Sequence, residues 1–190
     1  MLQLNTLNSY PVFPNWIFTG SLPLDNSQIA ELISDVTKIE TRKTNYGFHT
    51  PPNKVTPHIF SLTRLLGQTF YDTAVAHFRL PGNARNIESV DPQMFCISPG
   101  HTVQPVVNRH RWYQAAVFLS PNVQGTDIYL ETFDGKLYST PPEVQEYTHT
   151  IESQQCKMAF WPAHIPWGIT ANLGKQNSVI YTTTFIIKRD

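Results

Sequence analysis

The sequence predicts a mainly β fold with N-terminal helices, an α+β arrangement whose core is a jelly roll or barrel. Helical periodicity is confined to the first half of the chain. From Pro92 onward short β-branched and aromatic runs recur, cut by Pro, Gly and Asn. The length, 190 residues without an internal repeat or low-complexity tract, suits one domain. The expected division is a strand and helical N-terminal layer over 1–90 and a jelly-roll core over 91–190.

The first helix is announced by Asp25-Asn26-Ser27-Gln28, with Gln28 three residues after Asp25 as in a capping box. Ile29, Leu32, Ile33, Val36 and Ile39 then share one helical face. A second helix is predicted over 57–78, with Pro57 in its first turn and Ile59, Leu62, Leu66 and Phe70 on its apolar face. Between them, residues 44–52 carry so many turn formers that irregular structure is expected. Strands are predicted over 94–98, 102–108, 113–119, 126–133, 157–161 and 178–188.

Composition excludes several functions. Lys plus Arg and Asp plus Glu number 14 each, so no overall field draws the chain to nucleic acid or an anionic membrane. The start has neither a basic region nor an apolar core, and no apolar run is long enough to span a bilayer. The expected location is therefore cytoplasmic, without secretion by a signal peptide. Cys96 and Cys156 lack metal spacing and are expected to be free thiols, a single disulfide being the alternative. Charged residues make up 15% of the chain, against roughly 25% in an ordinary soluble domain. Such a surface is either rich in Thr, Asn and Pro or meant to be covered by protein partners, through self-association or other subunits.

Chemistry-bearing motifs are scarce. Two ligands of a two-His-one-carboxylate iron site are most simply supplied by His-x-Asp or His-x-Glu on a strand, where residues i and i+2 share a face. The seven histidines are followed two places on by Pro51, Phe60, Arg79, Val103, Trp112, Ile151 and Pro166, so no such tripeptide exists. His-Glu-x-x-His, Gly-x-Ser-x-Gly and phosphate-binding Gly-rich loops are also absent. The basic knot Arg109-His110-Arg111-Trp112 reads either as a solvated hairpin turn or as a stacking site for an anion or base.

Taken in order, several segments resemble a known family. Phe13-Pro14-Asn15-Trp16-Ile17-Phe18-Thr19-Gly20-Ser21-Leu22 is similar to the opening strand of the iron(II)/2-oxoglutarate-dependent oxygenases of marine phages and bacteria. Lys43-Thr44-Asn45-Tyr46-Gly47-Phe48-His49-Thr50 resembles that family's Ser-Asn-x-Gly-Gly-Trp-His-Ser loop. Residues 99–121 resemble its ligand strand and the next strand. Met158-Ala159-Phe160-Trp161-Pro162-Ala163-His164-Ile165-Pro166-Trp167 resembles its Phe-Pro-Ser-Trp-Leu-x-His-x-Val segment. The resemblance spans roughly 12–188 and implies a double-stranded β-helix, a jelly roll.

The same resemblance implies where a metal site would lie, and this chain departs from it there. Val106 and Asn108 occupy the positions of the family's first His and of its acid or second His, and Trp167 that of the distal His. The Arg that holds the 2-oxoglutarate carboxylate is missing, Lys175 being the nearest cation. The implied protein has no catalytic or metal residues and no cofactor, its old site filled by Val and Trp. Its role would be structural or recognitional, in a phage virion or in contact with a host. Two alternatives compete. An active hydroxylase using iron(II) and 2-oxoglutarate would need relocated ligands from His101, His110 and His164. A sugar-binding jelly roll would stack its ligand on Trp112, Tyr113, Trp161 or Trp167.

Overall fold

The computed structural model describes residues 8–12, 15–39, 42–52, 54–78, 87–108, 110–121, 124–131 and 148–187. The chain order is β1 (Asn8–Val12), β2 (Asn15–Ser21), α1 (Asn26–Lys38), β3 (Arg42–Thr44), β4 (Gly47–His49), α2 (Pro57–Phe78), β5 (Ile87–Ile97) and β6 (Val103–Val106). It continues with β7 (Tyr113–Phe118), β8 (Ile128–Glu131), β9 (Thr148–Ile151), β10 (Lys157–Pro162), β11 (Trp167–Ile169) and β12 (Ser178–Ile187). These strands form an eight-stranded sheet, ordered β1-β2-β10-β7-β12-β5-β4-β3, and a four-stranded sheet, ordered β6-β11-β8-β9. All pairings are antiparallel. The fold is a mainly β jelly roll with helices against one face, as the sequence predicts.

Strand alternation sends side chains of the large sheet into two cores. Toward the helices, Phe18, Val117, Phe160, Tyr181 and Phe185 meet Leu32 and Val36 of α1 and Leu66 and Phe70 of α2. Toward the small sheet, Ile17, Phe118, Trp161 and Ile180 meet Ile128, Leu130 and Ile169. The capping box is present: Gln28 N–H donates to Asp25 Oδ1 at 2.8 Å and Asp25 N–H to Gln28 Oε1 at 3.0 Å.

Several boundaries differ from the sequence reading. The expected irregular stretch contains the β3–β4 hairpin, which adds to the edge of β5 through Gly47↔Ile97, Phe48↔Cys96 and His49↔Phe95. Its turn formers are a hairpin signature, and Gly47 (φ +136°) allows the approach, since a Cβ there would lie 2.2 Å from the Cys96 carbonyl oxygen. β5 begins at Ile87 rather than near residue 94, and crosses the expected 90/91 boundary. Asp91 (φ 54°) forms a bulge opposite the register break between Thr182 and Thr184, which lets a strand continue past Pro92. Strands β1, β9 and β11 are additional to those expected. The opening strand begins at Asn15. The strand predicted over 102–108 ends at Val106, and the end of the one predicted over 126–133 lies outside the described residues. Cys96 and Cys156 are free, and burial pushes the Cys96 thiol up to about 11, a hydrogen bond from Asn177 opposing it. Among the described residues no helix is long and apolar enough to cross a membrane.

The two helices are joined by one buried carboxylate. Asp35 of α1 accepts from the Thr56 hydroxyl, from His58 Nδ1–H at 2.9 Å and from Lys38 Nζ at 3.1 Å. Thr56 also caps α2, accepting from Ile59 N–H at 3.2 Å. Burial alone would raise the Asp35 pKa, but the bonds from Thr56, His58 and Lys38 outweigh it and hold the value below the ordinary 3.8. A depressed carboxylate stabilises the fold above its unfolded pKa, and that contribution disappears as pH falls through the folded value. Stability should therefore drop as the medium is acidified below about pH 4. Denaturant unfolding of Asp35→Asn across that range should show a shallower acid dependence, with stability at neutral pH reduced by about 1–3 kcal/mol.

Candidate functional site

One end of the space between the sheets is open. A cavity of about 450 Å³ lies there, floored by Gln93, Phe95, Gln114, Thr182 and Thr184 of the large sheet. Val103, Gln104 and Val106 of β6 face it with Trp167 of β11 and Asn108 just beyond β6. The β3–β4 hairpin contributes Asn45, Tyr46 and His49. The floor is polar because of register. Thr182 pairs with Gln93 on one side and Ala116 on the other, and Thr184 pairs with Gln114. One row further along, Ile180 pairs with Phe95 and Phe118, and the apolar core resumes.

The positions singled out by the family resemblance do converge on this cavity. Trp167 and Val106 are Cα partners across the β6–β11 pair. Asn108 is held by its backbone N–H, which donates to the Ala163 carbonyl at 3.0 Å, and by its Nδ2, which donates to Gln114 Oε1 at 2.7 Å. The expected apolar plug is absent. Val106 is 42% exposed, because β6 is the edge of the small sheet and its last residue faces the mouth. Trp167 is only 2% exposed and meets Phe95 and Trp161 edge to face at 5.9 and 5.7 Å, yet its ring walls the cavity rather than filling it. Its buried indole N–H has no hydrogen-bond partner among the described residues.

The fallback ligands are not brought together. His101 is exposed in the turn before β6, its Nδ1–H donating to the Pro99 carbonyl at 2.9 Å. His110 is exposed in the turn before β7, and His164 in the turn between β10 and β11. Turn positions point outward, and none of the three lines the cavity. Lys175 lies in the loop before β12 and lines another space, of about 550 Å³, beside Ile33 and Cys96. The mixed-sheet cavity sits further along β12, at Thr182 and Thr184, out of its company.

Iron(II) and 2-oxoglutarate, which the family resemblance implies, do not fit the described lining. A facial triad needs two imidazoles and a carboxylate. The described lining offers one of each, His49 and Asp91, so a second imidazole is lacking, and the carboxylate is already paired. Asp91 accepts from Arg111 Nε at 3.0 Å and Nη2 at 2.6 Å. His49 stacks on Phe95 at 5.9 Å, its Nδ1–H donating to the Thr50 carbonyl at 3.1 Å. Among the described residues no three His, Cys, Asp or Glu side chains form a metal-holding group. Among the described residues no Lys or Arg lines the cavity to receive a dicarboxylate.

The basic knot is partly structural. Arg111 pairs with Asp91, Trp112 packs on Phe70 and Phe78 of α2 at 5.3 and 5.7 Å, and Arg109 lies outside the described residues. Of the aromatic quartet proposed for sugar stacking, Tyr113 and Trp161 are core and Trp112 faces the helices; only Trp167 reaches the cavity. Residues missed in the sequence are Gln93, Gln114, Thr182 and Thr184. Their signal was polar residues inside otherwise apolar strands, single in the case of Gln114 and in an unbroken run at Thr182-Thr183-Thr184.

No protein-family model matches the sequence. No curated protein matches it either. Solved structures do resemble it. A prolyl-4-hydroxylase from Pseudomonas putida is 11% identical at TM-score 0.66, over 91% of this chain and 93% of that one. An oxidoreductase of the 2OG-Fe(II) oxygenase family from Burkholderia pseudomallei is 9% identical at TM-score 0.64, over 90% and 84%. HygX from Streptomyces hygroscopicus, with nickel and 2-oxoglutarate bound, is 9% identical at TM-score 0.62, over 91% and 85%. The chain therefore has the fold of the 2-oxoglutarate oxygenases. At these identities the likeness concerns the fold alone.

Trp167 packs against two aromatic rings, so truncation should be felt in stability. Denaturant unfolding of Trp167→Ala is expected to show a loss of about 3–5 kcal/mol relative to the parent. A change below about 1 kcal/mol would place the side chain among ordinary surface positions.

Proposed function

We propose that this chain is a non-catalytic protein built on the oxygenase fold, with a recognition or assembly role. One observation carries the reading. On the paired strands β6 and β11 and just after, the positions that the resemblance assigns to metal ligands line the cavity as Val106, Trp167 and Asn108, which bring no imidazole or carboxylate to the site. The sequence resemblance to a phage and bacterial family attaches the proposal to a virion or host-interaction component. The 15% charged fraction supports contact with other subunits or copies of itself. A second reading, an active iron(II)/2-oxoglutarate hydroxylase, is favoured by the catalytic structural neighbours, but it needs ligands beyond those lining the cavity.

Protein expressed in iron-, manganese- and zinc-supplemented medium should carry no stoichiometric metal by elemental analysis. It should also bind 2-oxoglutarate no tighter than millimolar by calorimetry and should not consume it over multiple turnovers. About one metal per chain with turnover would establish the hydroxylase instead.

The assembly arm is tested separately. Stable interfaces bury about 1,200–2,000 Å², enough to persist at micromolar concentration. Residues 46–57 and 120–126, rich in Pro and poor in charge, are the proposed contacts, and Val55 there is exposed. Light scattering coupled to size exclusion is expected to show self-association, or a complex with another protein of the same genome. A strictly monomeric, partnerless chain would remove the assembly role.

A further inference from the structure

We infer that the cavity between the sheets binds an uncharged, polyhydroxylated ligand of mono- to disaccharide size. This rests on the non-catalytic reading and names the ligand class of the same site. The lining has the chemistry for it. Gln93 and Gln104 carry amides that offer both donors and an acceptor, Asn108 adds its Oδ1 while its Nδ2 is held by Gln114, and the Thr182 hydroxyl both gives and accepts, whereas the Thr184 O–H is given to Val90 and leaves only an acceptor. Such a set matches a molecule whose hydroxyls both give and accept, and it offers no counter-charge to an ion. The remaining groups agree. Asp91 is neutralised by Arg111, and burial raises the Tyr46 phenol above its ordinary 10.0 despite the opposing bond to Thr44, so it is a neutral wall.

The second observation is the Trp167 indole, which unlike the equally unpaired Trp161 indole lines the cavity. Its ring is 98% buried, lines the cavity, and leaves its N–H without a partner among the described residues. A buried donor left unpaired is costly, and an acceptor oxygen arriving in the cavity would relieve it. Phe95 stands 5.9 Å from that ring and Tyr46 lies 5.9 Å from Phe95, giving an aromatic wall for the apolar face of a sugar ring. The volume, about 450 Å³, falls within the range of small-molecule sites, roughly 300–1,000 Å³.

The test titrates tryptophan fluorescence of the whole chain with D-glucose, D-galactose, D-mannose, N-acetyl-D-glucosamine and lactose, with 2-oxoglutarate as the charged comparison. At least one sugar is expected to saturate below about 1 mM, more tightly than 2-oxoglutarate. Trp167→Phe keeps the wall and removes the N–H, and should weaken binding about fivefold or more. Gln104→Ala, at an exposed position on β6 that leaves folding intact, should weaken it as well. The parent and both variants are compared by saturation-transfer NMR, so the result does not depend on the indole as reporter. Failure of all five sugars at 10-fold above that concentration overturns the inference, as does binding indifferent to both substitutions. Either failure leaves the non-catalytic reading standing, whereas metal-dependent turnover of 2-oxoglutarate removes that reading itself.

Discussion

The central strands of the large sheet are buried on both faces, and the rest of the molecule follows from that constraint. All six residues of β7 are buried, with helices on one side and the small sheet on the other. A strand with no solvent face must alternate between two interiors, so its side chains have to suit both. Tyr113, Ala115 and Val117 serve the helical core, while Ala116 and Phe118 serve the inter-sheet core. The small Ala115 and Ala116 leave room for larger neighbours such as Phe70, Trp161 and Phe185, where two bulky layers would otherwise collide. Gln114 is the exception on that strand: buried and polar, it is held by Asn108 and marks where the inner face stops being core.

A second constraint sets the cavity's depth. The Asp91 bulge shifts β5 against β12, which gives Thr183 and Thr184 hydroxyls the Val90 carbonyl to donate to, at 2.9 and 3.2 Å. These buried threonines are thereby satisfied within the sheet, so their row costs little despite lying in the interior. Arg111 closes the arrangement from the turn before β7 by pairing with Asp91. The polar end of the sandwich is thus an ordered part of the fold, not a packing defect.

Much of this was legible in the sequence. The helices were, because Asp25 and Gln28 cap α1 and the 3.6-residue spacing of Ile29, Leu32 and Val36 survives in the structure. The long apolar runs of β7, β10 and β12 were legible too, and with them the jelly-roll class. Short or interrupted strands were not. β3 and β4 hide in turn formers, β11 has only Trp167, Gly168 and Ile169, and β5 passes through Asp91 and Pro92, whose local preferences argue against a strand. Tertiary pairing overrides each of them. For the site, the resemblance brought Val106, Asn108 and Trp167 to one place. The amides and hydroxyls opposite them are contributed by three strands distant in sequence, and only the register joins them.

Neutrality is what the proposed non-catalytic reading needs at this site. Two imidazoles and a carboxylate facing one another in a partly closed cavity would need a cation or a proton to be tolerated there. Asn108 has nearly the shape of an aspartate but no charge, and it finds its partner in the neutral Gln114 at 2.7 Å. Trp167 replaces a ligand with packing against Phe95 and Trp161. The one charged carboxylate at the rim, Asp91, has its own guanidinium. On the proposed non-catalytic reading, a contact within the protein stands at each of these positions. The Trp167 N–H, unpaired among the described residues as is that of the neighbouring Trp161, belongs to a ring in the cavity wall, which is where a neutral acceptor would be held.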